Sequence, residues 1–131
     1  MDIQPIIDGT KEPKLKGWQR YRLTEDDIKF HFQFGSVTGI GGITGKLSDN
    51  KAVLDFDAGW EIALDTFLHS WDELSTAPLV QTAHSNRQMW LVLPDMPEHF
   101  TKAVFYRDDG QTVELRGNRM NNLLPPSYHI R

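Results

Sequence analysis

The chain contains no cysteine in its 131 residues. That absence excludes disulfide bonds, thiolate nucleophiles and zinc or iron–sulfur sites ligated by cysteine. It is compatible with a reducing compartment. There is also no apolar run near the roughly 20 residues that a membrane-spanning helix needs. The first residues show no basic start followed by an apolar stretch, so no signal peptide is expected. These absences predict a cytoplasmic protein that has no membrane partner.

Basic residues are not in excess, since 14 Lys and Arg face 18 Asp and Glu, a formal net charge of −4. Duplex nucleic acid is bound through a basic surface, so this balance predicts no such partner. The acidic residues concentrate in residues 49–73, where one lysine faces seven carboxylates, a net charge of −6. This block is the main electrostatic feature of the sequence.

The order of predicted elements indicates an α+β fold in which a mainly antiparallel sheet packs against one long amphipathic helix. Apolar residues recur at spacings of three and four over about residues 58–74, which predicts the helix, with Asp57 as its N-cap. Alternation of aromatic and polar residues predicts a strand over 28–34. Residues 79–84 with 88–93, and 103–107 with 111–116, are expected to form two hairpins. A short helix from Met96 to about Lys102 is a further possibility.

The chain is expected to form a single domain, residues 1–131, because no linker or repeat divides it. The lead-in, about residues 1–17, is expected to be loosely ordered, with a short strand at Ile6 and Ile7 as an option. The tail, about residues 118–131, is expected to be loop-like. Five glycines lie within residues 35–45 and predict a bent or bulged pair of strands. The segment lacks the features of a phosphate-binding loop.

We considered three functional classes. The leading hypothesis is a small bacterial-type interaction protein, of the inhibitor or immunity type, that uses an acidic face against a basic protein. The face comprises Asp55, Asp57, Glu61, Asp65, Asp72 and Glu73. Its alternative interpretation is a solvated helix surface with a turn. The carboxylates at alternate positions 55 and 57 also resemble part of a calcium loop, but the remaining ligands of such a loop are missing.

The second class is a small-molecule binding protein with an aromatic-lined pocket, for which Trp18 and Trp90 are the candidate pocket or contact residues. The third class is a hydrolase or isomerase whose polar residues are dispersed along the chain. Its candidates are His31, His84 and Arg87. No histidine pair has metal-ligand spacing, so the sequence predicts no metal and no cofactor. The sequence favours a non-catalytic role.

Overall fold

The computed structural model describes residues 2–7, 13, 15–18, 23–33, 37–57, 59–81, 86–106 and 111–124. Among these residues the fold is α+β, with antiparallel sheets and two α-helices. The strands are β1 (Asp2–Ile7), β2 (Val37–Thr44), β3 (Lys51–Phe56), β4 (Leu79–Gln81), β5 (Arg87–Val92), β6 (Lys102–Tyr106), β7 (Thr112–Arg116) and β8 (Met120–Leu124). The α-helices are α1 (Glu25–His31) and α2 (Trp60–Ser70). Short 3₁₀ helices span Lys46–Ser48 and Asp72–Thr76.

The strands form two separate sheets. The larger one has five strands in the order β4-β5-β3-β7-β6, and the smaller one has three in the order β1-β2-β8. All of the strand pairs in both sheets are antiparallel. The two sheets are joined where Gly45, just after β2, forms a bridge with Lys51 at the start of β3.

Helix α2 covers one face of the five-stranded sheet. Ala63 of α2 joins Leu54, Phe56, Met89 and Val113 of the sheet in the hydrophobic core. The rings of Phe56 and Phe67 meet edge to face, with their centroids 5.7 Å apart. In a strand, successive side chains point to opposite faces. Residues next to the core positions, such as Asp55 and Gln88, therefore point to the other face of this sheet.

The predicted hairpins are both present. Strands β4 and β5 pair antiparallel, as do β6 and β7. The long helix over 58–74 is not confirmed, because α2 has 11 residues. Gly59 precedes it with a left-handed backbone (φ 82°), and Trp71 ends it with φ −139° and ψ 82°. The predicted N-cap at Asp57 is wrong, because Gly59 occupies that position and no side chain caps the helix.

The predicted strand over 28–34 is also wrong, because residues 25–31 form helix α1. Thr24 and Asp27 form a capping box at its start, with Thr24 Oγ1 accepting from Asp27 N–H at 3.2 Å and Asp27 Oδ2 accepting from Thr24 N–H at 3.0 Å. The ion pair between Lys29 and Glu25 follows the helical i, i+4 spacing. These local bonds outweigh the period-two pattern of the aromatic residues.

Four further expectations need correction. The lead-in was expected to be loosely ordered, yet the chain from Asp2 to Ile7 forms a full strand, β1. The tail was expected to be a loop, yet residues 120–124 form strand β8. The glycine-rich segment forms one strand, β2, between β1 and β8, rather than a bent pair. Residues 96–101 form a turn at 98–99 and irregular backbone instead of the short helix.

Candidate active site

A row of polar side chains crosses the face of the five-stranded sheet that lies opposite α2. Asp55 of β3 is the direct partner of Gln88 on β5 and of Glu114 on β7. Residues that face each other across antiparallel strands have Cβ atoms roughly 4.5–5.5 Å apart and share one face. Asp55 and Glu114 are therefore two neighbouring carboxylates on one surface. Both are partly buried.

Asp57 lies one residue beyond the end of β3 and is exposed. It adds a third carboxylate at this end of the central strand. Two like charges directly opposite each other destabilise a sheet unless a cation offsets them. The site supplies one, since Arg116 Nη1 donates to Glu114 Oε1 at 2.6 Å.

Strand β8 of the smaller sheet lies against this row. Arg116 Nε donates to Asn122 Oδ1 at 2.7 Å, and Arg116 Nη2 donates to the carbonyl of Asn121 at 2.9 Å. Gln88 Nε2 donates to the carbonyl of Leu123 at 3.2 Å. Asp55, Asp57 and Glu114, the carboxylate row, therefore lie at the interface of the two sheets, and side chains of β5 and β7 hold β8 there.

Buried hydrogen bonds fix the approach of the smaller sheet. Thr44 Oγ1, at the end of β2, donates to the carbonyl of Gly117 at 2.6 Å. Asn122 Nδ2 donates to the carbonyl of Gly42 at 3.2 Å. The three residues Thr44, Gly42 and Asn122 are all buried. Since buried polar groups are costly unless they are paired, these bonds favour this single arrangement of β2, β8 and the end of β7.

The predicted acidic face does not form one surface. Asp55 is partly buried on the sheet face that lies away from α2, whereas Glu61 and Asp65 are exposed on α2. Asp72 and Glu73 are exposed in the 3₁₀ helix that follows. The sheet separates Asp55 from the four carboxylates at positions 61, 65, 72 and 73, so the six residues present no continuous contact surface.

The residues proposed for a dispersed hydrolase or isomerase are not brought together among the described residues. The guanidinium of Arg87 lies 4.5 Å from the centre of the Trp60 ring, on the α2 side of the sheet. His31 ends α1, and its ring lies 5.4 Å from that of Phe30. His84 falls outside the described residues. Arg87 therefore faces away from Asp55 and Glu114.

The two tryptophans proposed for a pocket have different surroundings. Trp90, on β5, is buried and lines a cavity beside the carboxylate row. Trp18 is partly buried in the lead-in, outside both sheets. Sequence analysis missed Gln88, Glu114 and Arg116, although Glu114 and Arg116 alternate with Val113 and Leu115 as expected for a strand with one polar face.

The described residues contain no group of three or more His, Cys, Asp or Glu side chains arranged to enclose a metal ion. A cage of that kind is not required for Mg²⁺, which is usually held by one or two carboxylates together with substrate phosphates and water. Asp55 and Glu114 provide such a pair of hard oxygen ligands. The donor set therefore fits a divalent cation that is completed by a phosphate-bearing substrate.

The comparison with protein families decides what kind of domain carries this carboxylate row. The model of the family described as "Bifunctional DNA primase/polymerase, N-terminal" matches residues 1–131, the whole chain. The chain belongs to this primase/polymerase family. No curated protein matches the sequence.

Membership of the primase/polymerase family overturns the leading hypothesis from the sequence. An inhibitor or immunity-type module that binds a basic protein is wrong, because the family is one of DNA enzymes by its description. The expectation that the partner is a protein and not DNA is wrong for the same reason. The formal net charge of −4 does not exclude DNA as a partner, because a total charge does not report the chemistry of one sheet face. In the part of the chain that is described, neither helix is long and apolar enough to cross a membrane.

Proposed function

We propose that this chain is the nucleotidyl-transfer domain of a DNA primase/polymerase, and that Asp55 and Glu114 are its central carboxylates. The observation that carries the proposal is their direct pairing on neighbouring strands, on the face that β8 approaches. Polymerases use divalent cations that are held by carboxylates. Where a site contains two cations, the cations lie about 3.5–4 Å apart. Asp55 and Glu114 belong to the kind of ligand that this chemistry requires, and the family assignment agrees with it.

The reaction joins a nucleotide to the hydroxyl end of a nucleic acid chain. The hydroxyl oxygen forms a bond to the α-phosphorus of a nucleoside triphosphate, and the bond from that phosphorus to the bridging oxygen of the β-phosphate breaks. The hydroxyl loses its proton to solvent or a nearby base, and pyrophosphate leaves with the bonding electron pair. No oxidant or reductant takes part.

The carboxylates and Arg116 have different roles in this proposal. Asp55 and Glu114 would hold the cation, and the exposed Asp57 would contribute from the end of β3. A bound divalent cation neutralises charge on the triphosphate and stabilises the attacking and leaving oxygens. Arg116 positions Glu114 through the 2.6 Å hydrogen bond and balances the repulsion between the two carboxylates while no cation is present.

The test compares Asp55→Asn with Asp65→Asn, a matched change on the exposed surface of α2. Primer synthesis and extension are measured on single-stranded DNA with Mg²⁺ or Mn²⁺, and Mn²⁺ binding is measured separately by electron paramagnetic resonance. We expect Asp55→Asn to lower the rate by at least about 100-fold and to weaken Mn²⁺ binding, on the scale of losing a group that acts in the transition state. Asp65→Asn should resemble the unmodified chain. Unchanged synthesis and Mn²⁺ binding in Asp55→Asn, or an unmodified chain that shows neither, would overturn the proposal.

A further inference from the structure

A cavity of about 420 Å³ opens beside the carboxylate row. Small-molecule sites usually measure roughly 300–1,000 Å³ and have mainly apolar linings. The lining consists of Lys51, Pro78, Val80, Trp90, Leu91, Val92 and Leu124. Six of the seven residues are apolar and none is acidic. The cavity therefore suits a flat uncharged ring far better than it suits a phosphate group.

The position of the cavity relates it to the carboxylates. Val80 on β4 is the direct partner of Gln88 on β5, which is the partner of Asp55 on β3. Neighbouring strands lie about 4.7–4.9 Å apart, so Val80 and Asp55 are separated by about 10 Å across the sheet. Trp90 lies two residues along β5 from Gln88, on the same face. This separation is of the size that the sugar of a nucleotide bridges between its base and its α-phosphate.

Gln88 lies between the cavity and Asp55 and provides a second observation. Its side chain is 7% exposed, and its Oε1 atom is buried without a hydrogen-bond partner. Its Nε2 atom donates to the carbonyl of Leu123, which precedes the cavity residue Leu124. Buried amide oxygens are normally paired, so an unpaired one at this place points to a missing donor. A sugar hydroxyl is a donor of the kind that this oxygen lacks.

We infer that the cavity holds the base of the nucleoside triphosphate, with its sugar over Gln88 and its triphosphate at Asp55 and Glu114. The inference deepens the proposed function and depends on it for the identity of the ligand. Trp90 offers an aromatic ring, and stacking of a base on an aromatic side chain tolerates any base. Lys51 lies at the wall with its ammonium group 3.3 Å from the carbonyl of Ser48, so its charge is directed to the protein backbone.

The experiment fills the cavity in steps with Val80→Leu, Val80→Phe and Val80→Trp. The matched control is Ile62→Trp, because Ile62 is 61% exposed on α2, which covers the opposite face of the sheet. Binding of dATP and of inorganic triphosphate, both with Mg²⁺, is measured by calorimetry. The Leu and Phe variants guard against a Trp variant that fails to fold, and thermal melting reports folding for each.

We expect the dissociation constant for dATP to rise with side-chain size, by about tenfold or more in Val80→Trp, within the range that loss of base stacking produces. Binding of inorganic triphosphate should stay unchanged, and so should the binding of both ligands in Ile62→Trp. Unaltered dATP binding across the Val80 series, or equal losses for dATP and triphosphate, would overturn the inference and favour an apolar protein segment as the occupant.

The two proposals fail in different ways. If Val80→Trp selectively loses dATP but the unmodified chain makes no DNA, the base pocket stands and the proposed function falls. If Asp55→Asn abolishes synthesis while Val80→Trp binds dATP normally, the proposed function stands and the base pocket falls. A chain that does not bind dATP at all would overturn the base pocket.

Discussion

Arg116 and Glu114 form an ion pair within strand β7, with Arg116 Nη1 2.6 Å from Glu114 Oε1. The two residues are two positions apart and so share a face of the strand. Their side chains are 21% and 27% exposed. Arg116 also bonds to Asn122 and Asn121 of β8. One guanidinium therefore binds a proposed metal ligand and the strand of the opposing sheet.

The first prediction concerns the stability that Arg116 contributes. Because its hydrogen bonds are charge-assisted and partly shielded from solvent, Arg116→Ala should lower the free energy of unfolding by about 1.5–3 kcal/mol. Lys29→Ala is the control, since it removes an ion pair to Glu25 whose side chains are 68% and 82% exposed. That change should cost about 0.5 kcal/mol or less. Urea unfolding of both variants measures the difference, and equal losses would show that Arg116 does not join the sheets energetically.

The second prediction compares two glycines that both have positive φ. A Cβ at Gly45 (φ 104°) would lie 2.5 Å from Cα of Asn118, which is backbone. A Cβ at Gly59 (φ 82°) would lie 3.2 Å from Oε1 of Gln111, the end of a flexible side chain. Gly45→Ala should therefore cost about 3 kcal/mol, from the φ penalty and the overpacking together, while Gly59→Ala should cost about 1 kcal/mol.

Calorimetric melting of the two alanine variants provides the measurement. Gly45 lies at the junction of the two sheets, where it bridges Lys51. Its replacement should therefore also loosen the approach of β8 to the carboxylate row. Similar melting temperatures for Gly45→Ala and Gly59→Ala would mean that the backbone at Asn118 yields easily, contrary to the close contact in the structure.

Local parts of the fold were predictable from the sequence. The two hairpins and the apolar stripe of α2 depend on neighbouring residues, so their patterns can be read directly. Residues 28–34 were predicted as a strand because Ile28, Phe30, Phe32 and Phe34 alternate with polar residues, although residues 25–31 form helix α1. The capping box of Thr24 and Asp27 stabilises a helix here. An aspartate at the third helical position is a weaker sequence signal for this motif than glutamate or glutamine.

The candidate site was not predictable in the same way. Asp55 and Asp57 attracted attention because of their spacing, but their proposed partner Glu114 lies on a strand far along the chain. The pairing of β3 with β7 is set by the order of strands in the sheet, and strand order is a tertiary property. The division into two sheets was equally hidden, because β8, with the sequence Met-Asn-Asn-Leu-Leu, shows no strand alternation of apolar and polar residues.

The last prediction concerns the pKa of Asp27 in the capping box. The hydrogen bond from the Thr24 backbone N–H, and then the bond with the Thr24 side chain, hold the pKa of this carboxyl below its ordinary value of 3.8. A carboxyl whose pKa is lower in the folded state stabilises the fold fully above its unfolded pKa. Its contribution is then lost as the pH falls through the lower, folded value. The difference in stability between the unmodified chain and Asp27→Asn should therefore be constant above about pH 5 and should shrink below pH 3.8.

Urea unfolding of the two chains across this pH range measures the difference in their free energies of unfolding. The contributions of the other titrating groups cancel in this difference. Carboxyl chemical shifts measured by NMR should place the Asp27 midpoint below 3.8, and Thr24→Ala should move it upward, because it removes the hydrogen bond with the Thr24 side chain that lowers this pKa. The midpoint should not return fully to the ordinary value, since the bond from the Thr24 backbone N–H to Asp27 Oδ2 remains. A midpoint at or above 3.8 in the unmodified chain, or one that Thr24→Ala leaves in place, would show that the capping box does not hold α1 in solution.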